Sequence, residues 1–157
     1  MSPDERALAL MRQAFVWARQ GDLALLALVD GGAPIDAQNQ SGDTLLMLAA
    51  YHGHAALVVE LLRRGADPQR ANDRGQTPLQ GAAFKGSAEV VRALLDGGAE
   101  VDFAGDGKTP LTWARLFGRT EVAVLLIERG ASEESVHPLA RLAGATGVPA
   151  LLASVAS

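Results

Sequence analysis

The stretch DRGQTPLQGAAFKGSAEVVRALLDGGAEVD, residues 73–102, reads as one complete structural unit. Thr77 before Pro78 predicts a helix start, because the hydroxyl can cap a free amide and proline suits the first turn, where no donor is needed. The helix carries the small pair Ala82-Ala83 and stops at Gly86, where glycine can adopt the positive φ of a helix end. A second helix follows, with apolar positions Val90, Val91, Leu94 and Leu95 on one stripe, and ends at Gly98.

Working outward, the same unit recurs along the chain. Gly32, Gly65, Gly98 and Gly130 are each followed by alanine, at spacings of 33, 33 and 32 residues. Gly42, Gly75 and Gly107 stand two residues ahead of Thr44, Thr77 and Thr109, and Gly21, Gly53, Gly86 and Gly118 form a third series. Repetition at such a period is the signature of stacked supersecondary units. The stripe returns as Leu57, Val58, Leu61 and Leu62, then as Val122, Ala123, Leu126 and Ile127. Helices of about 8 to 10 residues do not persist alone in water, so each repeat must bury a face on its neighbour. Extended polar loops such as residues 66–75 connect one repeat to the next in hairpin-like form.

Asp73-Arg74-Gly75-Gln76-Thr77-Pro78-Leu79 and Gly98-Ala99-Glu100-Val101-Asp102 resemble the ankyrin repeat, and the resemblance covers about residues 7 to 132. It implies an all-α ankyrin-repeat solenoid of stacked helix-turn-helix pairs with projecting hairpin loops. It also implies binding of another protein on the concave surface formed by first helices and hairpin tips. The chain departs from the family pattern where Met47, Gln80 and Thr112 replace the histidine after Thr-Pro-Leu. Gln80 and Thr112 can substitute for its hydrogen bond to the hairpin, whereas Met47 cannot. The hairpin Phe103-Ala104-Gly105-Asp106-Gly107 is one residue short and is expected to differ in shape.

One domain, 1–157, is expected: an N-terminal capping repeat over 1–38, repeats over 39–71, 72–104 and 105–132, and a truncated C-terminal cap over 133–157. The first cap opens on Ser2-Pro3-Asp4-Glu5, a good helix start with acids in the first turn. Leu8, Met11, Phe15 and Val16 form one side of its first helix, and Leu25, Leu26 and Val29 belong to its second. In the tail, His137-Pro138-Leu139, then Ala143, Gly147, Leu151 and Leu152, follow the repeat order with slips; an alanine-rich frayed end is the rival reading.

Motifs that carry chemistry fail on inspection. Gly107-Lys108-Thr109 resembles the end of a phosphate-binding loop, but Asp102 stands where the first glycine is required. A calcium loop at Asp102 and Asp106 would need a ligand at Ala104 and a glutamate at Trp113. His52 and His54 flank Gly53 without a third metal ligand nearby. No nucleophile, histidine and carboxylate recur at positions the architecture would join. Catalytic residues, cofactors and metals are therefore expected to be none.

Two features point to binding instead, and a third, Arg115, bears on the C-terminal cap. Tyr51-His52, Phe84-Lys85 and Leu116-Phe117 hold equivalent positions before the inter-helix glycines, where the resemblance aligns them down the concave groove. Aromatic residues are the types enriched in binding hot spots, although rings packed between repeats would give the same pattern. The hairpin residues change from Gln38 and Gln40 to Arg70, Asp73, Arg74 and Gln76, then to Asp102 and Asp106, an edge that orients a partner or is simply solvated. Arg115 takes the place of Ala50 and Ala83, where a charge needs room or a partner such as Glu133 or Glu134.

Bulk composition bounds the rest. With no cysteine, disulfides, thiolate metal sites and cysteine nucleophiles are excluded, and a net charge of −4 gives no basic face for nucleic acid. The charged start and the lack of a long apolar run predict no signal segment and no membrane span, hence a cytoplasmic monomer. Arginine outnumbers lysine, of which only Lys85 and Lys108 occur, which points to a GC-rich bacterial source. The expected function is a non-catalytic adaptor, scaffold or inhibitor. An accessory protein supporting an enzyme is one alternative, and an engineered ankyrin-type binder, against which the irregular repeat lengths speak, is another.

Overall fold

The first helices of the first four repeats open on a side-chain cap. In α1 (Pro3–Gln20) the Ser2 hydroxyl accepts from the Glu5 amide at 3.2 Å, and the Ser2 amide donates to Glu5 Oε2 at 2.8 Å. Thr44, Thr77 and Thr109 cap α3 (Leu45–Tyr51), α5 (Pro78–Lys85) and α7 (Pro110–Leu116), each hydroxyl accepting from the amide three residues on. These bonds satisfy amides that the helix itself leaves free. The second helices α2 (Leu25–Asp30), α4 (Ala55–Arg63), α6 (Ala88–Asp96) and α8 (Thr120–Glu128) lack a side-chain cap bond and depend on packing. A 3-10 turn, Glu133–Ser135, leads to α9 (Pro138–Thr146).

This is a computed structural model that describes residues 1–146. Among the described residues it is all-α, without a strand, as an ankyrin solenoid should be. Helices α1, α3, α5, α7 and α9 pack in succession as an inner layer, and α4, α6 and α8 as an outer one. Ala49, Ala50, Ala82, Ala83 and Ala114 are fully buried, so the inner helices approach closely through small side chains. Leu57, Val58, Leu61, Val90, Val91, Leu94, Val122 and Leu126 bury the outer layer, each contributing about 1.5–3 kcal/mol.

Two expected stripes shift at the ends of the stack. Ile127 is 38 % exposed, and Leu125 is the buried neighbour instead. Leu62, two repeats earlier, faces the next repeat at Gly97, whereas among the described residues α9 packs on α7. In α1, Ala14 and Ala18 are the buried residues, Met11 and Phe15 are partly buried, and Leu8 and Val16 are exposed. With 18 residues against 7 in α3, α1 overhangs its neighbour at its first turns, which accounts for Leu8, whereas Val16, two residues from both Ala14 and Ala18, lies off the buried side of the helix.

The hairpins stack backbone on backbone. Gly75 has φ 76°, and a Cβ there would lie 2.7 Å from the Gly105 carbonyl oxygen, so both conformation and proximity require glycine. Asp36, Gln69 and Asp102 each accept from a backbone amide of the next loop, at Asp67, Glu100 and Ser132. The short fourth hairpin keeps the turn bond, Gly107 amide to Ala104 carbonyl at 2.9 Å, matching Gly42 to Asn39 and Gly75 to Asn72. What differs is its internal acceptor: Asn39 and Asn72 organise their own turns, and in the fourth hairpin Asp106 accepts from the Lys108 amide.

At the C-terminal end Val136 and Ala140 are buried against the stack, and the His137 amide donates to Thr112 Oγ1 at 3.2 Å. Arg115 meets Glu133 at 2.9 Å, one of the two acids expected for it. Arg141 also donates to the Glu134 carbonyl. The expected cap positions Gly147, Leu151 and Leu152, and the side chain of Ala143, lie outside the described residues.

Candidate functional site

Stacking brings together side chains that the sequence spaces a repeat apart. Tyr51 at the end of α3 lies parallel to Phe84 of α5, with centroids 6.1 Å apart and planes 6° apart. Phe84 meets Phe117 edge-on at 4.7 Å and Trp113 edge-on at 5.7 Å, and Trp113 stacks on Phe117 at 5.8 Å. Phe117 is 43 % exposed, and Tyr51, Phe84 and Trp113 are half-buried. Of the predicted row, Leu116 packs against the core, and the ring beside Phe84 comes from Phe117. His52 is exposed and edge-on to Tyr51 at 5.2 Å.

Both lysines of the chain belong to this cluster. Lys85 Nζ stands 4.8 Å from the Tyr51 ring centre, and Lys108 Nζ stands 5.4 Å from that of Trp113, within reach of cation–π attraction. Beneath the rings lies a cleft of about 200 Å³ floored by Gly81 and walled by Met47, Tyr51, Phe84 and Trp113, with Arg74, Gln76 and Gln80 on its hairpin side. Gly81 sits inside α5, where glycine costs about 1 kcal/mol relative to alanine. Leu48 and Trp113 hold the equivalent positions of the neighbouring repeats. A Cβ at Gly81 would come 3.3 Å from Met47 Cε, so the cleft exists because that side chain is missing.

Gln80 does what the family's histidine was expected to do. Its Nε2 donates to Asp106 Oδ1 at 2.8 Å and to the Lys108 carbonyl at 2.6 Å, while its Oε1 accepts from the Thr77 amide at 2.7 Å. Gln76 Nε2 donates to Asp106 Oδ2 at 3.3 Å. Asp106 was expected as a tip charge facing a partner; its carboxylate is instead taken up by Gln76, Gln80 and the Lys108 amide, which makes it a fixed acceptor of the hairpin. Arg74 remains exposed at the tip.

The cleft continues toward the N-terminus. A polar stretch of about 310 Å³ shares Met47, Tyr51, Arg74 and Gln76 with it and adds Arg19, Asp43 and His52. Beyond lies a recess of about 630 Å³ that shares Arg19, Asn39 and Ser41 with the stretch and is bounded by Leu8, Met11 and Phe15 of α1. His54 is tied to the scaffold, with Nε2 donating to the Arg19 carbonyl at 2.7 Å. Partial burial, then the nearby charges of His54, Lys85 and Arg19, hold the His52 pKa below its ordinary value. The shortage of side chain at Gly81 and the indole of Trp113 were not singled out from sequence. Trp113 aligns with Leu48, and only the missing side chain between them turns its ring into a wall. Its indole nitrogen is buried without a hydrogen-bond partner among the described residues.

A solenoid of paired helices with one continuous groove across its inner layer defines a repeat-type binding scaffold. The family model for ankyrin repeats (3 copies) matches residues 14–104 and 56–137, and the chain belongs to the ankyrin repeat family. Ankyrin repeats are in general protein–protein interaction modules, and proteins of this family are typically non-catalytic. The chain is similar to human ankyrin repeat domain-containing protein 29, 48 % identical over 60 residues, which is 37 % of this chain and 20 % of that protein. The zebrafish (Danio rerio) protein of the same name is 43 % identical over 60 residues, with 36 % and 20 % covered. An ankyrin repeat protein of Pseudomonas aeruginosa is 45 % identical over 56 residues, 35 % of this chain and 33 % of that one. The matches thus span a fifth to a third of these relatives' own length. Among the described residues no helix is long and apolar enough to cross a membrane.

Proposed function

We propose that the chain is a non-catalytic protein-interaction module, an adaptor, scaffold or inhibitor that holds a partner protein in the concave groove. We propose with it a cytoplasmic monomer that uses neither nucleic acid nor membrane, organised as one domain with a cap at each end. The observation that carries this reading is the run of contacting rings Tyr51, Phe84, Trp113 and Phe117 along one face. A row of half-exposed rings beside an open cleft is the arrangement of an anchor site, because desolvated aromatics supply much of the energy at interfaces.

The test uses two baits, the full chain and its Phe84→Ala, Phe117→Ala double variant, for affinity capture from the native lysate with mass spectrometry. A partner bound by the first bait and lost from a variant that still melts cooperatively is the expected result. Equal recovery on both baits would remove the groove from the account.

A further inference from the structure

The charges around the groove differ in how they are satisfied. Asp43 and Asp106, two of the acids along its hairpin side, accept hydrogen bonds from the side-chain amides of Asn72, Gln76 and Gln80, while Asp73 stands exposed beside Arg74 at the tip. The cations Arg19, Arg74, Lys85 and Lys108 have no carboxylate within ion-pair distance among the described residues. In a chain of net charge −4, both lysines stand over rings of the cleft. Electrostatic complementarity selects partners and speeds their encounter, and this groove presents unmet positive charge beside an apolar hole.

We infer that the groove takes an acidic segment of a partner protein, with one aromatic or large aliphatic side chain seated in the cleft over Gly81. The inference rests on the protein-binding reading above and names the partner's chemistry. The polar stretch with Arg19 and Arg74 receives the carboxylates, and Lys85 and Lys108 flank the anchor. From the cleft to the recess at Phe15 the groove crosses about two helix spacings of about 10 Å, a reach that about six extended residues cover. The missing side chain at Gly81 gives the anchor its room.

The test begins with a display selection of randomised peptides on the immobilised full chain, after which enriched peptides are synthesised and their binding is followed by fluorescence anisotropy. Enrichment of Asp and Glu around a Trp, Phe or Leu is expected, with affinity falling as salt rises. Affinity should drop about tenfold or more for Lys85→Glu and for Gly81→Leu. Gly81→Ala guards against misfolding of the leucine variant: it should weaken binding while leaving the melting temperature unchanged or higher, because alanine favours helix. Neutral or basic peptides that are lost in Phe84→Ala would overturn the acidic occupant and leave the groove reading standing. Acidic peptides indifferent to Gly81 and Phe84 variants would overturn both. No enrichment, or tighter binding of a labelled single-stranded oligonucleotide through the same residues, would overturn the inference.

Discussion

The outer layer and the inner face of this solenoid treat their charges and apolar residues in opposite ways. On the outside, Arg64 closes on Asp30 at 2.7 Å and on Glu60 at 2.6 Å, Arg63 on Glu60, and Arg129 on Asp96, with Arg92 the exposed exception. The pairing holds the Asp30 and Glu60 carboxyls below their ordinary pKa values, in both cases chiefly through the hydrogen bond from Arg64. Along the groove on the inside, Arg19, Arg74, Lys85 and Lys108 have no carboxylate at ion-pair distance among the described residues, rings stay half-exposed and a helix carries glycine at its centre; Arg115, at the C-terminal end, is paired. The glycine costs helix stability, and all of these features meet at one groove. A face that forgoes local stability is where a binding function is sought.

The largest expected effect comes from removing what covers the end of the inner layer. Truncation after Ser132 strips α9 from α7 and unseats the contacts of Val136, His137 and Ala140. Terminal caps keep solenoids soluble, so aggregation or a clear loss of melting temperature is expected. A truncated chain as soluble and stable as the whole would show the tail to be dispensable.

Next comes Gln80, the polar residue that ties the inner helix α5 to the following hairpin. It is buried and fully engaged. Gln80→Ala removes the acceptor of the Thr77 amide and one of the three donors to Asp106, and should cost about 1–3 kcal/mol in denaturant unfolding. Gln80→His tests the family's usual choice, and should recover part of that loss. A smaller effect is expected at Arg115, a mostly covered cation paired with an exposed acid. Arg115→Ala should lower stability by no more than about 1 kcal/mol, and an unchanged or raised melting temperature would show that the pair does not hold the cap.

His52 should give the smallest effect. Because its folded pKa is depressed, protonation is harder in the fold than in the unfolded chain. Its contribution is therefore complete above the ordinary histidine pKa of about 6.5 and lost as pH falls through the depressed value. His52→Gln should flatten the acid side of the stability profile slightly, and an identical profile would show that His52 does not carry this term.

Much of the fold was legible because its signals are local and repeated: Thr-Pro starts, glycine stops and a helical stripe in each unit. The slips fell at Ile127 and at Leu8 and Val16, in the end helices α8 and α1, and a stripe in sequence says nothing of what packs on an end helix. The groove was half legible. Tyr51, Phe84 and Phe117 stood out by rarity, whereas Trp113 gained its role only through the gap at Gly81, 32 residues away. Asp106 misled for a related reason: an acid at a hairpin tip looks free until Gln76 and Gln80 of the preceding repeat are seen to hold it.

The central claim is that the ring row serves binding more than folding. It is tested most directly by calorimetric titration of a captured partner alongside thermal unfolding, for Phe84→Ala, Phe117→Ala, the core variant Leu94→Ala and the outer control Arg92→Ala. The account predicts that the phenylalanine variants lose about 1–4 kcal/mol of binding with a smaller loss of stability. Leu94→Ala should lose about 2–5 kcal/mol of stability, and Arg92→Ala should change little. Unchanged affinity with a large loss of stability for both phenylalanine variants would contradict it.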